Sequence, residues 1–179
     1  MKIKEIIKES NEDIIKKLRN NCSQTIDLMK KSNEAIYHSS NFLYRDIQKI
    51  TPKTNRKPKD TSQLIHDLIN EYLYEKKIKT NRSNSIFGLK KQDFGYGSSS
   101  FVFIPENNAN ILWFEQSEDL FMKLKRYFKE NFNKKMINLS EHEIDKNDFK
   151  QFLDTLEPNI SLEEYLNNNN FNSEIMISS

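Results

Sequence analysis

Short apolar runs typical of β-strands are mixed with longer segments of helical spacing, and this mixture most constrains the fold. The strand candidates are 42–47, 83–87, 101–104, 111–114 and 174–177. Apolar residues recur at helical spacing over about 2–20, 23–38, 60–73, 117–132, 145–156 and a short stretch after residue 161. Because the two kinds of segment do not alternate strictly, we predict an α+β fold with small mixed or antiparallel sheets.

Local signals mark several element ends. Asp60 and Gln63 have the spacing of a capping box, and Ser161 and Glu164 repeat it. The Asn107-Asn108 pair between two strand candidates predicts a hairpin turn. Trp113, inside an apolar run, is predicted to lie in the core.

Composition excludes several functional classes. The chain has three glycines and neither a G-x-G-x-x-G nor a G-x-x-x-x-G-K-[ST] motif, which disfavours Rossmann and P-loop nucleotide sites. A net charge of +2 is too small for a general polyanion binder. The single cysteine, Cys22, permits no intramolecular disulfide and is typical of a reducing cytoplasm.

Neither a membrane segment nor a metal site is predicted. The first residues lack the apolar core of a signal peptide, and no apolar run approaches the ~20 residues that cross a bilayer. The three histidines are far apart in sequence, and the acidic residues around His142 lack a calcium-loop pattern. We therefore expect a cytoplasmic protein without a metal.

Three segments place a polar group inside an apolar, strand-like run. Arg45 is the first, and it suits either an anion such as a diphosphate or a salt bridge at a strand end. Ser83 and Ser85 project from one face of a predicted strand, where they orient a carboxylate, contact a ribose, or mark a loop-to-strand transition. Glu174 begins the last strand candidate and either faces water or stabilises positive charge on a sugar. Arg82 is predicted to lie at the surface.

In this order, the three segments resemble the layout of mono-ADP-ribosyltransferases, which cleave NAD. Leu43-Tyr44-Arg45 is similar to their first-strand arginine motif, and Ser83-Asn84-Ser85 to their Ser-Thr-Ser motif. Asn172-Ser173-Glu174-Ile175-Met176 resembles the strand that carries their catalytic glutamate. Further segments resemble a group of uncharacterised phage proteins of this fold, namely 56–60, 65–67, 82–87, 96–97, 103–105 and 119–120. The resemblance covers about residues 41–177.

The resemblance implies an NAD-dependent transferase of the glycosyltransferase class, encoded by a phage and acting in the host cytoplasm. It implies an N-terminal helical arm over 1–40 and an ADP-ribosyltransferase-like domain over 41–179. Glu174 and Ser83 would be catalytic, with Asn172 on the acceptor side. The residues that would bind NAD are Arg45, Ser85, Phe87 and Tyr96. The acceptor would be a host protein or nucleic acid, with no membrane partner.

Two departures from the family pattern leave alternatives open. Asn172 stands where many members have Glu or Gln, and few residues follow Ile177. A catalytically inactive relative that binds and inhibits a host or defence factor is therefore one alternative. A nucleic-acid binder is another, because the 49–59 loop holds five Lys and Arg residues that suit phosphates of a nucleic acid or of NAD, or simply solvent.

Overall fold

The computed structural model describes residues 11–41, 47–58, 61–92, 97, 99–115, 120–132, 144–169 and 173–179. Its helices are α1 (Asn11–Asn21), α2 (Ser23–Ser32), α3 (Gln63–Glu75), α4 (Leu120–Phe132), α5 (Lys146–Asp154) and α6 (Leu162–Asn167). Its strands are β1 (Tyr37–Ser40), β2 (Ile86–Gly88), β3 (Ser99–Val102), β4 (Asn110–Phe114), β5 (Pro158–Asn159) and β6 (Ile175–Ser178). The predicted α+β class is confirmed.

The strands form two small antiparallel sheets. The larger sheet has the order β2-β6-β4-β5, and β1 pairs with β3 in the smaller one. In the larger sheet, Met176 of β6 lies between Phe87 of β2 and Leu112 of β4. Backbone hydrogen bonds between Tyr37 and Leu89 connect the two sheets. Strand β6 is thus the centre of the larger sheet, next to the strand that carries Phe87.

Both faces of the larger sheet are buried, which explains why its strands read as continuous apolar runs. On one face, Leu112, Phe114 and Met176 pack with apolar residues of α3, α4 and α5. On the other face, Ile111, Trp113, Ile175 and Ile177 pack with Ile36 and with α6. Alternation along a strand assigns successive residues to opposite faces. Glu174, two residues before Met176, therefore belongs to the face covered by α3.

Side-chain caps fix several helix starts. Ser62 caps α3 by accepting a hydrogen bond from the backbone of Ile65, so the predicted Asp60–Gln63 box is wrong: Gln63 lies inside the helix and its amide donates to Asp67. Asp60 lies outside the described residues. The predicted cap at Ser161 is confirmed, because its hydroxyl accepts from the backbone of Glu164.

The segment predicted as the end of the second helix is a strand. Helix α2 ends at Ser32, and Asn33 follows in the left-handed conformation with its backbone N–H bonded to Met29 O. This conformation stops a helix and is tolerated by asparagine. The chain then enters β1 (Tyr37–Ser40), so this strand lies within the segment 1–40 that was predicted as a helical arm.

The predicted hairpin between β3 and β4 does not form. Ala109 N donates to Glu106 O, so the chain does turn here, but the two strands belong to different sheets. Strand β4 is buried on both sides, whereas β3 is partly exposed along its length. Burial therefore places β4 beside β6, away from its neighbour in sequence. The predicted strand at 42–47 falls mostly outside the described residues.

The N-terminal helices pack on the rest of the fold. Leu28 and Met29 of α2 contact the core cluster of Trp113 and Ile175, and Lys31 forms an ion pair with Glu163 of α6. In the described part of the chain, no helix is both long and apolar enough to span a membrane.

Candidate functional site

A turn immediately before β2 positions the residues of the predicted Ser-x-Ser motif. Asn81 Oδ1 accepts hydrogen bonds from the backbone of Ser83 and Asn84, and Asn84 Oδ1 accepts from the backbone of Asn81. Asparagine side chains replace backbone groups in this way and stabilise turns. The predicted strand start at Ser83 is therefore wrong, because the strand begins at Ile86.

Helix α3 holds this turn through Ser83. The Ser83 hydroxyl shares a hydrogen bond of 2.8 Å with His66 Nε2 and accepts one of 2.9 Å from Asn70 Nδ2. Asn70 Oδ1 also accepts from the backbone N–H of Arg82 at 3.0 Å. His66 and Asn70 lie about one helical turn apart, on the same face. Two side chains of α3 thus fix both the hydroxyl of Ser83 and the backbone of Arg82.

Ser85 has a different environment. Its side chain is buried, and its hydroxyl donates to Asn81 O at 2.5 Å. This bond joins the turn to the start of β2. The contacts of Ser85 are with the turn itself, consistent with support of the backbone.

The side chain of Arg82 extends across Phe87 towards Glu174. Its Cζ lies 5.4 Å from the centroid of the Phe87 ring, and its Nη1 lies 4.0 Å from Glu174 Oε2. The side chains of Arg82 and Glu174 are only 14% and 22% exposed, respectively. The prediction of a surface position for Arg82 is therefore wrong. The pairing of Phe87 with Met176 puts Phe87 and Glu174 on the same face of the sheet. Arg82 can therefore contact both of them.

A second arginine comes from the basic loop. Arg56 Cζ lies 4.1 Å from the centroid of the Phe87 ring, and the Arg56 backbone N–H donates to Ser83 O at 3.0 Å. One end of the loop is thereby attached to the turn. We call the group formed by Arg56, Arg82, Phe87 and Glu174 the arginine cleft.

The charges in the arginine cleft are not balanced. Desolvation and then repulsion from Arg82 lower the pKa of Arg56, while Glu174 opposes this shift. Burial and then Arg82 lower the pKa of His66, with a smaller opposing effect of Asp67. His66 is therefore neutral at pH 7. Among the described residues of the cleft, two guanidinium groups and one carboxylate remain, an excess of one positive charge.

Several buried donors and acceptors beside the cleft are unsatisfied. Within the described residues, Nε and Nη1 of Arg82 have no hydrogen-bond partner, and the same holds for Nδ1 of His66. Buried polar atoms are normally paired, so each exception needs an explanation. The Arg82 atoms face the sequence-predicted residues Phe87 and Glu174, which makes this the candidate site.

The structure brings together part of the predicted set. Glu174 and Phe87 lie in the cleft, and Ser83 lies in the turn that carries Arg82, bonded to α3 rather than to Glu174 by the contacts described above. Arg45, Tyr96 and Asn172 lie outside the described residues, so their predicted roles stay predictions.

The sequence predictions included Arg56 only as one cation of the 49–59 loop, assigned Arg82 to the surface, and missed His66 and Asn70. A signal existed for the last two, since they are polar residues four apart on a helix whose other inward positions are apolar. The positions of the arginines depend on tertiary contacts and gave no local signal.

A cavity of about 390 Å³ lies elsewhere, against α2 and β1. Apolar side chains such as Ile26, Met29 and Ile104 line much of it, together with the buried Lys90. The ammonium group of Lys90 donates a hydrogen bond to the carbonyl of Asn168. Of the predicted site residues that are described, none lines this cavity. The arginine cleft is therefore the better candidate.

Within the described residues, no group of three or more His, Cys, Asp and Glu is arranged to hold a metal ion. Comparison with known proteins gives no family assignment. No protein-family model, curated protein or solved structure matches this chain.

Proposed function

We propose that the arginine cleft is the active site of an NAD-dependent mono-ADP-ribosyltransferase of phage origin that modifies a host macromolecule. The observation that carries the proposal is the position of Glu174. This carboxylate is largely shielded from water and lies 4.0 Å from the guanidinium group of Arg82, which in turn lies over the Phe87 ring. A shielded carboxylate can stabilise positive charge that develops on a sugar, and a guanidinium group can bind the phosphates of a nucleotide.

The reaction breaks the bond between ribose C1′ and the nicotinamide nitrogen. The bonding electron pair leaves with nicotinamide, and positive charge develops on the sugar. Glu174 stabilises that charge by electrostatic attraction and by accepting a hydrogen bond from a ribose hydroxyl. The acceptor then forms a bond to C1′ and loses its proton to solvent. Water as acceptor gives NAD hydrolysis.

The residues around Glu174 prepare the site for this step. Phe87 packs against the guanidinium groups of Arg56 and Arg82, whose Cζ atoms lie 4.1 and 5.4 Å from its ring centroid, so it positions the two cations of the cleft. The turn of Ser83, held by His66 and Asn70, fixes the backbone from which Arg82 reaches the cleft. Fixed groups cost little reorganisation during reaction, which is why preorganised sites are effective.

Nicotinamide release from NAD tests the proposal. We expect Glu174→Gln to reduce release by about a hundredfold or more, because it removes the charge that stabilises the transition state. Glu163→Gln is the matched control, since Glu163 is an exposed, ion-paired glutamate of α6. It is expected to retain wild-type release.

Transfer is tested separately with tagged NAD in bacterial lysate. Labelling of a macromolecule by the wild type but not by Glu174→Gln would support the transferase. Neither release nor labelling by the wild-type protein would overturn the proposal and favour the inactive binding protein.

A further inference from the structure

We infer that Arg56 and Arg82 form a binding site for a diphosphate group, and that this group displaces Glu174 from Arg82. The inference deepens the proposed function, on which it rests for the identity of the diphosphate as that of NAD. It moves the anion contact from Arg45, which the sequence suggested, to two arginines that meet at one aromatic ring.

The first argument is charge. Arg56 and Arg82 lie 4.1 and 5.4 Å from the Phe87 centroid, and repulsion from Arg82 helps to lower the pKa of Arg56, an effect that Glu174 opposes. Among the described residues of the cleft, two guanidinium groups thus accompany one carboxylate, which favours a further negative charge. A diphosphate supplies it.

The second argument is hydrogen bonding. Nε and Nη1 of Arg82 are buried and have no hydrogen-bond partner among the described residues. Guanidinium donors form a planar fork that matches two oxygens of a phosphate group. An anion bound at Arg82 would supply acceptor oxygens to a guanidinium group whose buried donors lack them.

The third argument is preorganisation. The Arg56 backbone N–H donates to Ser83 O, and the Arg82 backbone N–H donates to Asn70 Oδ1. The backbones of the two arginines are therefore held at the same turn, although the residues are far apart in sequence. A site held in this way loses little conformational entropy on binding.

The contact with Glu174 gives the inference its most specific consequence. Arg82 Nη1 and Glu174 Oε2 lie 4.0 Å apart, an ion pair looser than a charge-assisted hydrogen bond of about 2.7–2.9 Å. A diphosphate that engages Arg82 competes with this carboxylate. Binding would then weaken the contact between Glu174 and Arg82 and leave the carboxylate better placed to contact the ribose.

Calorimetric titration with inorganic pyrophosphate tests the site without any catalytic step. We expect Arg82→Gln and Arg56→Gln each to weaken binding by about tenfold or more, because each removes a charge-assisted fork. Glu174→Gln is expected to bind severalfold more tightly than the wild type, because the competing carboxylate is gone. Lys57→Gln is the matched control: it removes the same charge from an exposed neighbour of Arg56.

Each result decides the inference. Equal weakening by Lys57→Gln and Arg56→Gln would show nonspecific attraction to the basic loop and overturn it. Unchanged or weaker binding by Glu174→Gln would overturn the displacement. Arg56 is exposed and its substitution leaves the core intact, so it remains informative if Arg82→Gln does not fold.

Parallel titrations with ADP-ribose and with adenosine identify the carrier. ADP-ribose is expected to bind at least as tightly as pyrophosphate, and adenosine much more weakly. Preference for a single-stranded oligonucleotide over ADP-ribose would overturn the assignment to NAD. Pyrophosphate binding without nicotinamide release would contradict the proposed function and leave the anion site supported. Nicotinamide release that is unchanged in Arg56→Gln and Arg82→Gln would contradict the anion site and leave the proposed function supported.

Discussion

His66 is a buried titratable residue with an unusual environment. It is 2% exposed, its Nε2 is bonded to Ser83, and its Nδ1 has no partner among the described residues. Burial and the charge of Arg82 lower its pKa. The folded state therefore favours the neutral form of His66.

This gives a pH prediction. The pKa of His66 is lower in the folded state than its unfolded value of about 6.5. As the pH falls through that value, the unfolded state therefore binds more protons than the folded state. Stability is then lost between about pH 6.5 and the lowered folded pKa, and the loss levels off below it. His66→Gln places an amide near the position of Nε2 and removes the titration.

Urea unfolding at pH 7.5, 6.5 and 5.5 checks this prediction. The wild type is expected to lose more stability than His66→Gln over this interval. His38→Gln serves as the control, because His38 is a partly buried histidine bonded to the Phe87 carbonyl, outside the α3 contact. Parallel pH profiles of the wild type and His66→Gln would contradict the account.

At the scale of elements, the cleft depends on how β2 passes the rest of the fold. A Cβ at Gly88 would lie 2.6 Å from Ile36 Cγ2 and 3.3 Å from Tyr37 O. Ile36 is fully buried, so it has little room to move. Glycine therefore allows β2 to approach β1 directly after Phe87.

Gly88→Ala is accordingly expected to destabilise the fold by about 1–3 kcal/mol, the range for overpacked cores. Ile36→Ala removes the closest atom, so the double variant should cost less than the sum of the two single changes. Chemical denaturation of the four proteins measures this coupling. Strict additivity would show that the close approach does not limit packing here.

The sequence predicted those parts of the fold that follow from local pattern. The apolar runs of β4 and β6, the start of α6 at Ser161 and the position of Glu174 beside the last strand are of this kind. Side-chain hydrogen bonds decided much of the rest. The Asn81–Asn84 turn occupies the first residues of a predicted strand, which begins only at Ile86, and α3 fixes Ser83 through His66 and Asn70.

The candidate site was only partly predictable for the same reason. Glu174 and Phe87 lie in or next to strands and share a face through the pairing of β2 with β6. Arg56 and Arg82 reach them from a loop and a turn, whose paths are set by the backbone bond to Ser83 O and by Asn70. No periodicity in the sequence records such contacts.

At the scale of the whole molecule, the larger sheet is covered on both faces, and the cleft lies at its α3 side. A ligand that binds only the folded state stabilises the whole domain. At a ligand concentration of 100 times the dissociation constant, the gain is about 2.7 kcal/mol. For a domain of this size, that corresponds to a rise in Tm of roughly 5–10 °C.

Thermal unfolding with and without ADP-ribose measures this gain. The wild type and Lys57→Gln are expected to show the full shift, whereas Arg56→Gln should show much less at the same concentration. A shift that is equal in all three proteins would place the ligand elsewhere on the fold.

Titration of NAD into Glu174→Gln tests the central claim most directly, because it separates binding from chemistry in one cleft. The account predicts that this variant binds NAD at least as tightly as the wild type while it releases almost no nicotinamide. Loss of NAD binding in a folded Glu174→Gln protein, or nicotinamide release at the wild-type rate, would contradict it.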